Sequence, residues 1–334
     1  MFPLSVLDLV PVKINKTPAD ALSESLELAK YADDLGYQRY WVAEHHNMTG
    51  IASAATSVVI GYLAGGTKRI RVGAGGVMLP NHSPLIIAEQ FGTLESLYPR
   101  RIDLGVGRAP GTDQLTWRAL RRDPRASESF SADIQELQYF FAPVKDRQSI
   151  QAVPGGNLNV PLWMLGSSLF GAQLAAEFGL PYAFASHFAP ALLEQALQVY
   201  RQQFKPSKQL TKAYVMPCVS VIVADTDQQA EYLLTSMQQR FLGMIRNQRG
   251  KLSPPVDDIN SCWNPIEKAQ VESMLSCAFV GSAETVKEKL QRFINKTHAD
   301  ELMVSAGIFE QKARLYSYEL LAGIGKELIH GAVD

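Results

Sequence analysis

Short apolar runs alternate with stretches of helical periodicity along the whole of this 334-residue chain. The runs are Leu4–Leu9, Arg39–Ala43, Ile70–Met78, Ile102–Val106, Leu162–Leu165, Tyr182–Ala185, Ala213–Ala224 and Glu301–Val304. Several are apolar almost without a break, a pattern that suits a strand covered on both faces of a parallel sheet. Between them lie segments such as "TPADALSESLELAKYADDLG". Thr17 can cap it, Pro18 suits the first helical position, and Gly36 suits the stop. Eight strands alternating with helices predict an α/β chain folded as a (β/α)8 TIM barrel with insertions, one domain over residues 1–334. A doubly wound open sheet is the competing arrangement. No G-x-G-x-x-G follows the first strand, which weakens its dinucleotide-binding version.

Two stretches break the alternation. Arg108–Arg125 is polar and carries Pro110, Gly111 and Pro124. Met244–Ser276 is long and contains Ser253–Pro255 and Trp263. An extended segment in a compact domain is usually functional or disordered, so residues 244–276 read as a candidate lid.

Bulk properties exclude several classes of function. Lys plus Arg number 32 against 33 Asp plus Glu, which offers no electrostatic case for nucleic acid or an anionic membrane. The cysteines are Cys218, Cys262 and Cys277, an odd set without a C-x-x-C pair. A disulfide framework or zinc module is not expected, and a reducing compartment fits. The N-terminus lacks the basic region of a signal peptide and reads as a first buried strand, so the expected location is cytoplasmic.

In a barrel, reactive groups come from the carboxyl ends of the strands and the loops that follow. The second strand ends in "VAEHHNMTG", with Glu44, His45 and His46 consecutive in a chain that has six histidines. Successive strand side chains point to opposite faces, so His45 and His46 cannot share one metal ion if the strand continues. No H-x-H spacing is present, and a metal is not expected. Proton chemistry needs one histidine, whose ordinary pKa of about 6.5 suits a shuttle. The bland alternative is a histidine bonded into the barrel wall, with Glu44 paired to an arginine. In "LGSSLFGAQLAAEFG", Gly166, Ser167 and Ser168 form a strand-to-helix turn. Its N–H groups and hydroxyls suit a phosphate, and Gly171 permits close approach. A plain capped turn would look similar. In "VGAGGVMLP", Gly75 and Gly76 leave space for a flat ligand or merely permit tight packing at a barrel bend. Arg108 could reach a phosphate or form a surface ion pair.

Taken together, "VAEHHN", "VGAGGVMLPNHSPLIIAEQFGTLESLYPRRIDLGVGR" and "LGSSLFGAQLAAEFGLPYAFASHF" resemble the bacterial luciferase-like, flavin-dependent monooxygenase family, and most of all its YhbW-type branch. The resemblance runs from Phe2 to about Leu321 and is weakest over Arg108–Ser127 and Met244–Ser276. It implies a monooxygenase using reduced FMN and O2, a separate flavin reductase that supplies the reduced FMN, and a homodimer paired through helices 2 and 3. By the same resemblance, His45 and Glu44 are the catalytic pair. Gly75-Gly76 is a non-prolyl cis peptide beneath the flavin ring. Arg108, Gly166, Ser167, Ser168 and Gly171 bind the cofactor around its phosphate. The sequence departs from the luciferases at Ser167, where they carry Glu, and at Gly171, where they carry Thr. No cysteine can be placed near the pocket, which argues against light emission. Alternative readings are a deazaflavin-dependent hydride-transfer reductase and a non-catalytic flavin-binding protein.

Overall fold

The computed structural model describes residues 2–109 and 113–331. Pro110 and Gly111, singled out above, lie outside the described residues. The barrel strands are β1 (Leu4–Asp8), β2 (Arg39–Val42), β3 (Arg71–Met78), β4 (Ile102–Gly107), β5 (Leu162–Gly166), β6 (Tyr182–Phe184) and β7 (Val215–Val223), followed after a gap by β9 (Leu302–Ser305). All pair in parallel. β9 joins β7 to β1, which closes the ring. A further strand, β8 (Ala278–Gly281), pairs with the end of β7 that runs on past β9. The sequence reading had placed no strand there. Four residues packed against one neighbour are too short to show a period.

The helices are α1 (Pro18–Leu35), α2 (Thr56–Gly66), α3 (Pro84–Leu97), α4 (Gln114–Ala119), α5 (Phe130–Phe141), α6 (Leu169–Phe178), α7 (Leu193–Gln203), α8 (Asp227–Ile245), α9 (Pro265–Met274), α10 (Ala283–Thr297) and α11 (Gln311–Glu327). The termini of α1 follow the sequence signals. Thr17 and Asp20 form a capping box, and Gly36 takes the left-handed conformation at φ 85°. Among the described residues, no helix is long and apolar enough to cross a membrane. The candidate lid is an anchored segment. Leu252 donates its N–H to the Val12 carbonyl at 2.9 Å and accepts one from Ile14 at 2.9 Å. Arg246 pairs with Glu267 at 2.8 Å. Part of the segment is α9, started by an Asn264–Glu267 capping box with Pro265 at its first turn.

Period-two alternation sorts the barrel strands into outward and inward sets. Outward side chains such as Val6, Tyr40, Val72 and Leu104 pack beneath the helices. Inward side chains form three levels, and each level differs in chemistry. The lowest is polar. Asp103 is bonded by Arg39 at 2.8 Å and Arg71 at 2.6 Å, and Arg39 also reaches Glu301 at 3.0 Å. Tyr214 and Ser5 donate hydroxyl bonds to the same Glu301. Burial alone would raise the Asp103 pKa. The two guanidinium charges outweigh it and hold the carboxyl below its ordinary value.

The middle level is aromatic. Trp41 and Trp163 meet edge to face with centroids 5.1 Å apart, and Trp41 Nε1 donates to Asp103 at 3.1 Å. Gly73 makes this possible, because a Cβ there would lie 2.9 Å from the Trp41 indole nitrogen and 2.5 Å from the Asp103 carbonyl. The upper level is mostly small: Ala43, Gly75, Gly107, Ala185, Ser220 and Ser305 all line a cavity. The barrel is therefore plugged at its amino-terminal end and open at its carboxyl end.

Removing one member of a buried ion network leaves its partners unpaired, which costs more than the intact network contributes. Asp103→Asn leaves two arginines facing each other across the floor. We expect a loss of about 3 kcal/mol, read from urea denaturation. An unchanged midpoint would show that the floor is not held by this network.

Candidate active site

β2 ends at Val42, but its alternation continues for four residues. Ala43 and His45 line the cavity, while Glu44 and His46 lie together behind them. Glu44 is 1% exposed. Its carboxylate accepts N–H bonds from His46 Nε2 at 2.7 Å, His82 Nε2 at 2.9 Å, the Met78 backbone at 3.0 Å and Asn81 Nδ2 at 3.3 Å. Burial pushes the Glu44 pKa up, but these bonds, led by those from His46 and His82, bring it down to about 2. The same bond raises the His46 pKa above its ordinary value.

Glu44 is thus a fixed anion that ties the end of β2 to the turn after β3. Alternation sends the Glu44 and His45 side chains to opposite faces of the strand end. Among the described residues, Glu44 makes no ion pair with an arginine. The residue that the sequence reading missed is His82, in "PNHSP". Glu44, His46 and His82 offer three possible ligand atoms within 4.8 Å of one another. With Glu44 ionised, both Nε2 atoms donate N–H bonds to it, and two further N–H groups occupy the same carboxylate.

His45 faces the cavity with its Nδ1 buried and unbonded. Its backbone N–H bonds the Ser53 carbonyl at 3.2 Å, which fixes the chain where the strand ladder ends. Burial, and then the nearby Arg240 charge, lower its pKa to about 4. His187, just past β6 in "ASHF", also lines the cavity with a buried, unbonded Nδ1. Burial and then Arg240 lower its pKa to about 3. A lone histidine at a strand end carries no spacing signal, so the sequence does not single out His187.

The turn after β5 joins the strand directly to α6. Ser168 occupies the N-cap position of α6, yet its side chain makes no capping bond. The first N–H groups of α6 are therefore left for a ligand, at the positive end of the helix. Gly166, Ser167, Ser168 and Gly171 all line the cavity. A Cβ on Gly166 would sit 3.4 Å from the Gly171 Cα, so this strand end and the first turn of α6 lie back to back. Arg108 stacks over the Phe170 ring at 4.1 Å and has no hydrogen bond among the described residues.

Across the cavity, the Gly75–Gly76 peptide bond is cis. The β3–β4 register shifts at this point, between Ala74 and Val77. A Cβ on Gly75 would lie 2.9 Å from the Leu7 side chain, and one on Gly76 would lie 2.8 Å from the Gly105 carbonyl. The two glycines form a bare backbone shelf. From the remaining side, α8 presents Met237, Arg240, Phe241 and Met244 at helical spacing. Cys218 also lines the cavity, contrary to the expectation that no cysteine lies near it. Burial pushes its thiol pKa well up, so it stays protonated and is a poor nucleophile.

The cavity measures about 640 Å³, within the roughly 300–1,000 Å³ common for small-molecule sites. Arg108, Arg240 and Arg249 line it, and no carboxylate does among the described residues. A flat shelf facing a helix N-terminus with free N–H groups and an unpaired arginine suits a planar ring that carries an anionic tail.

Comparison with known proteins places the fold and the family. The family model for luciferase-like monooxygenases matches residues 4–301. A protein named luciferase-like monooxygenase from Escherichia coli (strain K12) is 52% identical over 326 residues, covering 97% of this chain and 97% of its own. The crystal structure of apo-MsnO8 superposes with a TM-score of 0.90 at 35% identity, covering 99% of this chain and 100% of its own. The oxygenating constituent of 3,6-diketocamphane monooxygenase from Pseudomonas putida, solved in complex with FMN, shares the fold with a TM-score of 0.75 at 16% identity and full coverage of both chains, 100% each.

The histidine pKa values have a consequence for stability. In an unfolded chain each ring titrates near ~6.5. His45 at about 4 and His187 at about 3 lie below that. Between the two limits the unfolded state binds more protons, so stability falls as the pH falls. Their contribution is complete above ~6.5 and is lost as the pH drops through the folded values. Histidine NMR from about pH 8 to 5 is expected to show both rings neutral throughout. A midpoint near ~6.5 for either ring contradicts the account. In the same titration, Glu44→Gln is expected to lower the His46 midpoint.

Proposed function

We propose, from the premise that the chain belongs to the luciferase-like monooxygenase family, that it is an oxidoreductase that uses reduced FMN and O2 to oxygenate a small organic molecule. One observation carries this reading: a single cavity joins the bare Gly75–Gly76 shelf to the uncapped α6 N-terminus, with neutral His45 between barrel wall and ligand space. The name of the Pseudomonas neighbour, an oxygenating constituent in complex with FMN, supports it.

In this reading Ser167, Ser168 and the first N–H groups of α6 bind the phosphate, and Arg108 neutralises it. Gly75 and Gly76 lie against the flavin ring, and Gly166 and Gly171 let the backbone come close at the phosphate end. Bound reduced flavin would supply the two electrons by which one oxygen atom of O2 enters the substrate and the other leaves as water. His45 is held neutral at neutral pH, so its ring can accept a proton on one nitrogen while donating from the other. Phe170, Phe188 and Met244 at the cavity lining exclude water from the reacting atoms. Glu44 serves by fixing the strand end that carries His45. A separate flavin reductase supplies the reduced flavin in this reading.

The reading includes a homodimer. Val58 and Tyr62 on α2 are 70% and 47% exposed, and Ile86 and Leu97 on α3 are 50% and 62% exposed. Val58 and Tyr62 are four residues apart and Ile86 and Leu97 eleven, spacings that put each pair on one helix face. These exposed apolar side chains support pairing through α2 and α3.

Three outcomes are expected. Anaerobic titration with reduced FMN gives saturable binding, and subsequent oxygen addition with absorbance monitoring shows O2 consumed by the complex. Binding without any oxygen use would favour the deazaflavin or non-catalytic reading. His45→Ala keeps FMN affinity and slows turnover roughly 10²-fold or more; unchanged turnover removes His45 from the chemistry. Val58→Glu with Tyr62→Glu gives a monomer in light scattering, and a mass equal to that of the unmutated protein argues against the α2–α3 interface.

A further inference from the structure

The cavity holds more positive charge than one phosphate explains. Arg108 arrives from the end of β4 and stacks on Phe170 of α6, at the phosphate end. Arg240 arrives from α8 on another side, where its charge acts on His45 of the β2 end and His187 of the β6 end. Arg249, on the segment after α8, lines the same cavity and also acts on His45. Neither Arg240 nor Arg249 has a hydrogen bond or ion pair among the described residues.

The acid nearest to Arg240 in effect is Asp8, and its oxygens are already taken. Arg314 bonds it at 2.7 Å, Ser25 at 2.6 Å, Tyr40 at 2.5 Å and the Val10 N–H at 2.9 Å. An arginine drawn away from water without a counter-charge is costly. Its neighbours are Met237, Phe241 and Met244, at helical spacing on the same face of α8. His45 and His187 line the same cavity, and the Nδ1 of each has no hydrogen-bond partner among the described residues. This corner therefore offers planar donor forks, further hydrogen-bonding nitrogens and an apolar wall.

We propose that Arg240 and Arg249 form a second anion subsite, and that the substrate is an organic carboxylate with an apolar body, held there by its carboxylate. A guanidinium fork matches a carboxylate with two parallel N–H bonds. The apolar body packs on Met237, Phe241 and Met244 and points its reactive end toward His45. The assignment of substrate rests on the flavin reading above, which gives the phosphate to the α6 end. The anion subsite itself does not depend on that reading.

The test uses octanoate and its neutral counterpart octanamide as probes, titrated calorimetrically into the full-length protein without flavin. Octanoate is expected to bind at least roughly tenfold more tightly than octanamide. Arg240→Met should weaken octanoate by a similar factor while leaving octanamide unchanged, and Arg240→Lys should restore part of the loss. Arg249→Met should weaken octanoate less, since it is the more exposed of the two. FMN affinity should not change in Arg240→Met. Equal binding of octanoate and octanamide by the unmutated protein overturns the proposal without need of any variant, as does octanoate binding that does not respond to Arg240→Met. If Arg240→Met loses FMN but keeps riboflavin, Arg240 belongs to the flavin phosphate and the subsite is wrong. Failure of the flavin reading would appear separately, as absence of FMN binding to the unmutated protein while the octanoate arm still responds.

Discussion

The ion network of Arg39, Arg71, Asp103 and Glu301 is the constraint on which the rest of the barrel depends. A closed parallel barrel turns alternate side chains of every strand inward, and that space has to be filled. Here the lowest level is filled with charge, and each charge has its partner. Above it the two tryptophans span the interior, and Gly73 gives Trp41 room. With the lower two levels full, the small residues of the upper level leave one cavity, open at the strand carboxyl ends. A site at the other end would need the ion layer to be dismantled.

The same alternation divides the labour at the end of β2. Glu44 and His46 turn outward and, with His82, lock two strand ends together. His45 turns inward to line the cavity, and its buried Nδ1 has no hydrogen-bond partner among the described residues. The anion that keeps the scaffold in place and the neutral ring that faces the ligand are adjacent in the chain but turn to opposite faces. His45 is held neutral chiefly by burial and by the positive charge of Arg240, against the opposing charge of Glu44. The arginines thus have two effects: they attract anions and they keep the nearby histidines deprotonated.

Much of the fold was legible because its signals are local and periodic. Each of the eight barrel strands had been placed from its apolar run, and α1 from Thr17, Pro18 and Gly36. The turn at Gly166–Ser168 was legible for the same reason, since a strand, a small-residue turn and a helix follow one another directly. β8 was missed because a four-residue edge strand carries too little periodicity. α9 was missed although Asn264, Pro265 and Glu267 spell a helix start. The segment around it is irregular, and length drew attention away from that signal. At the site, Glu44 and His45 were both read as functional residues, and the strand end turns them to opposite faces. Neighbours on a strand are the two residues least able to share a face.

What the sequence by itself determined was the order of strands and helices, and hence which residues stand at the open end of a barrel. Such information lies in spacings of a few residues. Only the tertiary structure decided which of those residues meet. His82 reaches Glu44 from β3, His187 joins His45 from β6, Cys218 enters the cavity from β7, and Arg240 completes the charge of the site from α8. These encounters depend on strand register and on how each helix is rotated against the barrel. Both are set by packing among residues far apart in the chain, so no local pattern could have carried them.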